Sequence, residues 1–244
     1  MYLAFSQKHP ELSKPQVRQA MKYLVDYEGM QNSFLNGQYT IHQNFLPRTF
    51  LGAVNENPFS LNVEKAKALL AEAGVPEGLE LTAGVREAQE RIEIAQTFQN
   101  ALAQVGIKLN ITVGTAKQIL GEYRSRNLDV YIGAWGPDYP DPHTNAGTFA
   151  YNPDNSDAAN ATGLLAWRNS WDTGGLTDKT AAAVVENDRD ARQQMYSDIQ
   201  AEFRGTSPVA IMFQKIEQAA MRDNVQKVNL GGATTAVSAW PITK

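Results

Sequence analysis

The stretch Ala134-Trp135-Gly136-Pro137-Asp138-Tyr139-Pro140-Asp141-Pro142-His143 gathers two carboxylates, an imidazole and an indole on a segment braced by three prolines. A carboxylate on so stiff a loop keeps its geometry, so less ordering entropy is lost when a cationic group docks on it. Asp138 is the first candidate for that role. The competing reading is that it only caps a turn, as Asp beside Pro often does. Asp138, Asp141 and His143, spaced Asp-x-x-Asp-x-His, also form a plausible oxygen and nitrogen set for a metal ion. The prolines force a turn in which these side chains need not converge, and His9 and His42 lie in other segments. The two aspartates could in principle act as an acid–base pair. No nucleophile elbow, His-Glu-x-x-His or phosphate-binding glycine loop accompanies them. Leu230-Gly231-Gly232-Ala233 lacks the third glycine of a dinucleotide fingerprint. The pattern points to binding rather than catalysis, with no cofactor.

Trp135 ends a predicted strand, where α/β sheets tend to expose ligand surfaces. It would offer an apolar wall, or simply pack on the sheet edge. Ala134 and Gly136 flank it and are small enough to present backbone N–H and C=O groups to an extended ligand. Trp167 and Trp171 are a second aromatic site, read either as packing or as a docking surface for a partner protein.

These residues need elements to hold them. Val17, Ala20, Met21 and Leu24 repeat at helical steps behind Pro15, with Ser13 and Gln16 spaced as a capping box. Residues 37–60 read as a long loop of the kind that wraps something. Asn62 caps a helix from Val63 to Ala73, closed by Gly74. A strand over Leu79–Val85, a helix over Gln89–Val105 and a strand through Ile107, Leu109, Ile111 and Val113 follow. Thr115 and Gln118 cap a short helix before the strand Leu128–Trp135. This order predicts an α/β layer with crossover connections. Residues 136–157 read as a structured loop. Helices are expected near Asp178–Glu186 and Asp190–Phe203, the second stopped by Gly205 and Pro208. Short strands are expected at Val209–Phe213 and Gln218–Met221, with Trp240 anchoring the Gly- and Thr-rich tail.

Bulk properties narrow the function classes. The net charge of −4 and the absence of a Lys/Arg cluster argue against a nucleic-acid partner. No cysteine is present, so thiolate metal sites, thiol nucleophiles and disulfides are excluded for this sequence. Apolar runs such as Val209–Phe213 are far short of the roughly 18 residues of a membrane span. Residues 1–6 lack the basic and apolar regions of a signal peptide, so an exported protein would be represented here by a piece.

Several segments together resemble the family 5 extracellular solute-binding proteins, the dipeptide- and oligopeptide-binding components of ABC importers. They are Val17-Arg18-Gln19-Ala20 running on to Asp26, Glu64-Lys65-Ala66-Lys67-Ala68-Leu69-Leu70-Ala71-Glu72-Ala73-Gly74, Leu102 with Gly106-Ile107, Ala134 to Pro142, and Arg192 with Tyr196, Gln200 and Pro208. The resemblance implies a mixed sheet flanked by helices, one lobe of a two-lobed class II periplasmic-binding-protein-like fold. It implies a ligand-binding second lobe over residues 1–215, with 216–244 as a hinge return and C-terminal tail belonging partly to the first lobe. It also implies non-catalytic capture of peptides or related solutes in the periplasm, or at the surface of a lipid-anchored protein, in partnership with membrane permease subunits. Sugar, opine or metal-chelate binding are the alternatives it leaves open. The implied binding set is Asp138, pairing with a ligand's α-ammonium, with Trp135, Ala134, Gly136 and Tyr139. Some relatives carry an Arg three residues before this Trp to hold a carboxylate. Here that position is Ile132, leaving Arg168, Arg86 or a residue outside the lobe for that role.

Overall fold

In the computed structural model, which describes residues 1–226, the chain forms a mixed five-stranded sheet covered by helices on both faces. Three parallel strands, β3 (Glu80–Arg86), β4 (Lys108–Gly114) and β5 (Val130–Gly133), are linked by the helices α4 (Gln89–Ala103) and α5 (Ala116–Arg124). The strand order is β4-β3-β5-β1-β6. β1 (Tyr2–Phe5) and β6 (Val209–Ile211) join antiparallel, Tyr2 pairing with both Gly133 and Ile211. A separate two-stranded ladder joins β2 (Tyr39–Ile41) to β7 (Phe213–Lys215). The mixed α/β layer expected from the pattern is present.

Strand periodicity divides the apolar residues between two cores. Leu3, Phe5, Val130, Ile132, Ala83 and Val85 point to one face. There they meet α4 and the helices α1 (Pro15–Tyr23), α2 (Tyr27–Asn32) and α3 (Val63–Glu72). Tyr2, Ala4 and Tyr131 point to the other face. They pack under α5, α6 (His143–Phe149), α7 (Leu165–Arg168), α8 (Leu176–Val185) and α9 (Arg189–Thr206). All four residues of β1 and of β5 are therefore buried, as expected of strands covered on both sides. Gly133 is required by this packing, because a Cβ there would lie 2.5 Å from the Tyr131 ring and 2.6 Å from that of Tyr2.

Local signals mostly act where the sequence places them. Asn62 accepts from the Lys65 N–H at 2.9 Å, and Thr115 and Gln118 form a reciprocal capping box. The capping box proposed for Ser13 and Gln16 does not form. Lys14 is the N-cap without a side-chain cap, Pro15 starts the helix, Ser13 Oγ donates to the Pro10 carbonyl and Gln16 reaches Glu72. Gly205 does not stop α9, which runs on to Thr206. Gln218–Met221 is not a strand. Residues 136–157 contain α6, a helix the prolines and polar residues disguise in the sequence. Trp240 and the Gly-rich tail lie outside the described residues.

The long segment after β2 wraps α9. Gly52, with φ of +74°, brings its carbonyl to Ser197 Oγ and Gln200 Nε2 at 3.1 and 2.6 Å. A Cβ on Gly52 would strike Tyr196 Cβ at 2.7 Å. Farther along, Arg204 holds Asn44 Oδ1 at 2.7 Å and Glu56 Oε2 at 3.0 Å.

Between α1, this segment and α9 lies Lys22, only 1% exposed. Its Nζ donates to the Arg204 carbonyl at 2.7 Å and sits 5.5 Å from the Phe59 ring centroid. Burial, with Arg18 adding repulsion, pulls its pKa down to about 7. Above pH 7 the unfolded chain keeps a proton that the native lysine releases, so this group's contribution makes stability rise with pH. Below pH 7 both states hold the proton and the penalty is complete. Comparing Lys22→Met with the parent by urea unfolding should therefore show the largest relative gain for the variant at or below pH 7. That gain should shrink toward pH 9; a constant difference would mean Lys22 stays charged throughout.

Candidate functional site

The carboxyl ends of the three parallel strands lie along one rim of the sheet, marked by Arg86, Gly114 and Gly133. β1 begins and β6 ends at the same rim, since Tyr2 pairs with Gly133 and Ile211. The segment Ala134–Pro142 leaves β5 at this rim. Rims of this kind, outside the carboxyl ends of parallel strands, are where α/β sheets bind ligands.

Ala134, Gly136, Asp138 and Tyr139 are exposed, and Trp135 is half-buried. Tyr139 is 47% exposed, a large aromatic left in solvent. The Trp135 ring packs against the second core, and its Nε1 is buried without an acceptor among the described residues. The ring therefore packs in part and leaves part of the residue uncovered.

Asp138 and Asp141 have different neighbours. Among the described residues the Asp138 carboxylate has no hydrogen bond or ion pair, while its backbone N–H donates to Thr144 Oγ1 at 3.1 Å. Asp138 therefore has a fixed main chain and a free carboxylate. Asp141 is fully engaged: the Arg192 guanidinium donates to Oδ2 at 2.9 Å and to Oδ1 at 3.0 Å, and the His143 N–H donates to Oδ1 at 2.8 Å. Arg192 in turn donates to the Ala183 carbonyl and approaches the Tyr196 hydroxyl at 3.4 Å. The fork ties the start of α6 to both α8 and α9. Burial alone would raise the Asp141 pKa, but Arg192 and the His143 N–H outweigh it and hold the carboxyl below its ordinary range.

This geometry bears on the metal reading. Both Asp141 oxygens face Arg192, and burial holds the His143 pKa below its usual value, with Asp141 opposing and Arg192 reinforcing that effect. Among the described residues no three His, Asp or Glu side chains converge as a metal ligand set. Ile132, the position of the missing arginine, is fully buried in the first core. Of the two arginines in reach of the sequence argument, Arg168 is buried, its Nε donating to the Thr162 carbonyl and its guanidinium 5.5 Å from the Tyr123 ring centroid. Arg86 stands half-buried at the end of β3, on the same rim as Ala134. Trp167 and Trp171 are 3% and 5% exposed, which makes them packing residues and removes the docking surface they might have formed.

The residue sequence reasoning missed is Arg192 as the partner of Asp141. The available signal was its four-residue spacing to Tyr196 on one face of α9, which cannot by itself name a partner 51 residues away.

The backbone architecture is that of the class II periplasmic binding proteins. The dipeptide-binding protein of Pseudoalteromonas sp. SM9913, solved in complex with Met-Leu, superposes with a TM-score of 0.84 at 21% identity, covering 100% of this chain and 48% of that one. The family of bacterial extracellular solute-binding proteins, family 5 (middle region), matches residues 1–157, and the chain belongs to it. Among curated relatives, Di/tripeptide-binding protein 1 of Pseudomonas aeruginosa is 24% identical over 92% of this chain and 41% of its own length. Heme-binding protein A of Haemophilus influenzae is 31% identical over 58% of this chain and 27% of its own. The chain thus spans less than half the length of the curated relatives it matches.

The ion pair makes a direct prediction. Arg192→Ala should cost on the order of 2 kcal/mol, because a charge-assisted pair is lost but both groups keep some solvent. Arg192→Lys should recover only part of that, since lysine cannot make the fork. Asp141 is held below the ordinary carboxylate range, so its contribution is present above that range and fades as pH falls through the lowered value. Urea unfolding of both variants at neutral and acidic pH checks this. Equal stability of the lysine variant and the parent would show that the fork geometry contributes nothing.

Proposed function

We propose that this chain is one lobe of a two-lobed solute-binding protein that captures small peptides in the periplasm and delivers them to the permease of an ABC importer, without chemical turnover. Residues 1–215 form the lobe, and 216–244 belong to the segment returning through the hinge. The observation that carries this reading is the free carboxylate of Asp138. It stands exposed on the segment that leaves β5 at the rim formed by the carboxyl ends of the parallel strands, on a main chain held by Thr144 and three residues from Asp141 of the Asp141–Arg192 fork. A solute's ammonium group would meet Asp138, Trp135 and Tyr139 would line an apolar wall, and the backbone of Ala134 and Gly136 would run beside the solute's main chain. Such main-chain readout ignores side-chain identity, which suits a carrier of varied peptides.

Two further facts support the proposal. The family consists of extracellular solute-binding proteins, and one relative carries the name di/tripeptide-binding. Ala134, Gly136, Asp138 and Tyr139 are also exposed together on one segment, the arrangement that one wall of a binding cleft requires. Arg86 is the candidate for the solute's carboxylate, because it stands half-buried at the rim while Arg168 is buried and donates to the Thr162 carbonyl. Closure would expel water around the Asp138–ammonium pair and strengthen it.

Calorimetric titration of the full-length protein with Met-Leu and a tripeptide, in parent and Asp138→Ala forms, tests this. Removing one partner of a desolvated ion pair costs about 3–5 kcal/mol, so affinity should fall by roughly two to four orders of magnitude. N-acetylated Met-Leu, which has no ammonium, should bind weakly to both forms. Equal affinities of parent and variant for the free peptide would remove Asp138 from the site. Strong binding of haem with none of peptide would replace the solute class.

A further inference from the structure

We infer that Asn36 is a site of spontaneous deamidation, and that its conversion loosens the β2–β7 ladder. Asn36-Gly37 is the one Asn–Gly pair in the sequence. It forms the centre of a turn closed by the Gln38 N–H on the Leu35 carbonyl at 3.0 Å, with Gly37 at φ of +72°. Both residues are exposed, and a Cβ built on Gly37 meets nothing within 4 Å. Among the described residues, neither the Asn36 carboxamide nor the Gly37 N–H has a hydrogen-bond partner. The side chain can therefore turn toward an uncrowded and unengaged backbone nitrogen.

The chemistry needs only base and water. The Gly37 nitrogen gives up its proton and attacks Asn36 Cγ, forming a C–N bond. The carboxamide nitrogen then leaves as ammonia, giving a five-membered imide. Water opens the ring at either carbonyl. Opening at the former side-chain carbonyl leaves aspartate; opening at the main-chain carbonyl leaves isoaspartate, with the backbone lengthened by one methylene. The net change is amide plus water to carboxylic acid plus ammonia.

Asn32, Asn155, Asn169 and Asn187, each followed by a small or acidic residue, are restrained. The Ser33 N–H donates to the Met30 carbonyl and the Ser170 N–H to the Trp167 carbonyl. The Ser156 N–H donates to Asp154 Oδ1, and the Asn155 side chain is held by Arg126 and Ser170. The Asp188 N–H is taken by Glu186. In each case the attacking nitrogen is already engaged.

The position of Asn36 gives the reaction a structural consequence. The Leu35 carbonyl also accepts the Tyr39 N–H at 3.2 Å, and Tyr39 opens β2. The Gln38 carbonyl accepts the Ile216 N–H at 2.8 Å, and the Gly37 carbonyl accepts from Gln218 Nε2. An extra methylene between Leu35 and Gln38 displaces all of these bonds, which fasten the strand β7 and the residues after it.

The test is to age the purified chain in mildly alkaline buffer, with peptide mapping of the tryptic fragment Tyr23–Arg48 and isoaspartyl methyltransferase labelling over time. Position 36 should lose its amide before any other asparagine and accumulate isoaspartate. Asn36→Gln, which would have to close a six-membered ring, should show no early product. Amide exchange at Tyr39 and Ile216 should speed up in the aged parent and stay unchanged in the aged variant. Retention of the Asn36 amide after other asparagines have converted would overturn the assignment. Conversion at position 36 without faster exchange would overturn its structural consequence.

Discussion

The candidate site depends on a bidentate ion pair between Asp141 and Arg192. A loop with the composition of 136–142 has little regular backbone pairing of its own, so something outside it must set its path. The guanidinium fork does this from α9, and the wrapped segment around Gly52 buttresses α9 at Tyr196, Ser197 and Gln200. One turn of that helix, from Arg192 to Tyr196, therefore connects the loop bearing Asp138 to the covering of the second core. Division of labour between the aspartates follows: Asp141 is neutralised by Arg192 to hold the loop, and Asp138 is left free.

The sheet sets where that loop can act. Three parallel strands bring their carboxyl ends to one rim, and β1 begins and β6 ends at the same rim. A solute bound at Ala134–Tyr139 would thus lie beside the start of β1 and the end of β6. Binding and hinge movement would share one edge of the sheet, a coupling that the proposed clamshell closure needs.

Much of the fold could be read from residue types. The alternation in β4, the caps at Asn62 and Thr115 and the glycines after α3 and α4 are local signals, and each acts within a few residues of itself. The misread positions have different causes. Gly205 continues a helix because α9 is held along its length by the wrapped segment and by Lys22. Ser13 turned to the Pro10 carbonyl instead of capping α1. α6 is short and begins behind Pro142, in a stretch whose composition reads as loop. For the site, the loop and its aspartates were visible in the sequence, but which aspartate is free was not. That distinction comes from an arginine 51 residues downstream of Asp141.

The most direct measurement of the central claim is an amide chemical-shift or hydrogen-exchange map of the full-length protein with and without a free dipeptide. The account predicts that, within this lobe, the changes cluster on Ala134–Tyr139 and around Arg86, while Asp141, His143 and the turn of α9 bearing Arg192 are already protected before the solute is added. Changes centred elsewhere, such as the shallow depression at the far end of β4 beside Gln99 and Lys108, with Ala134–Tyr139 unaffected, would contradict it.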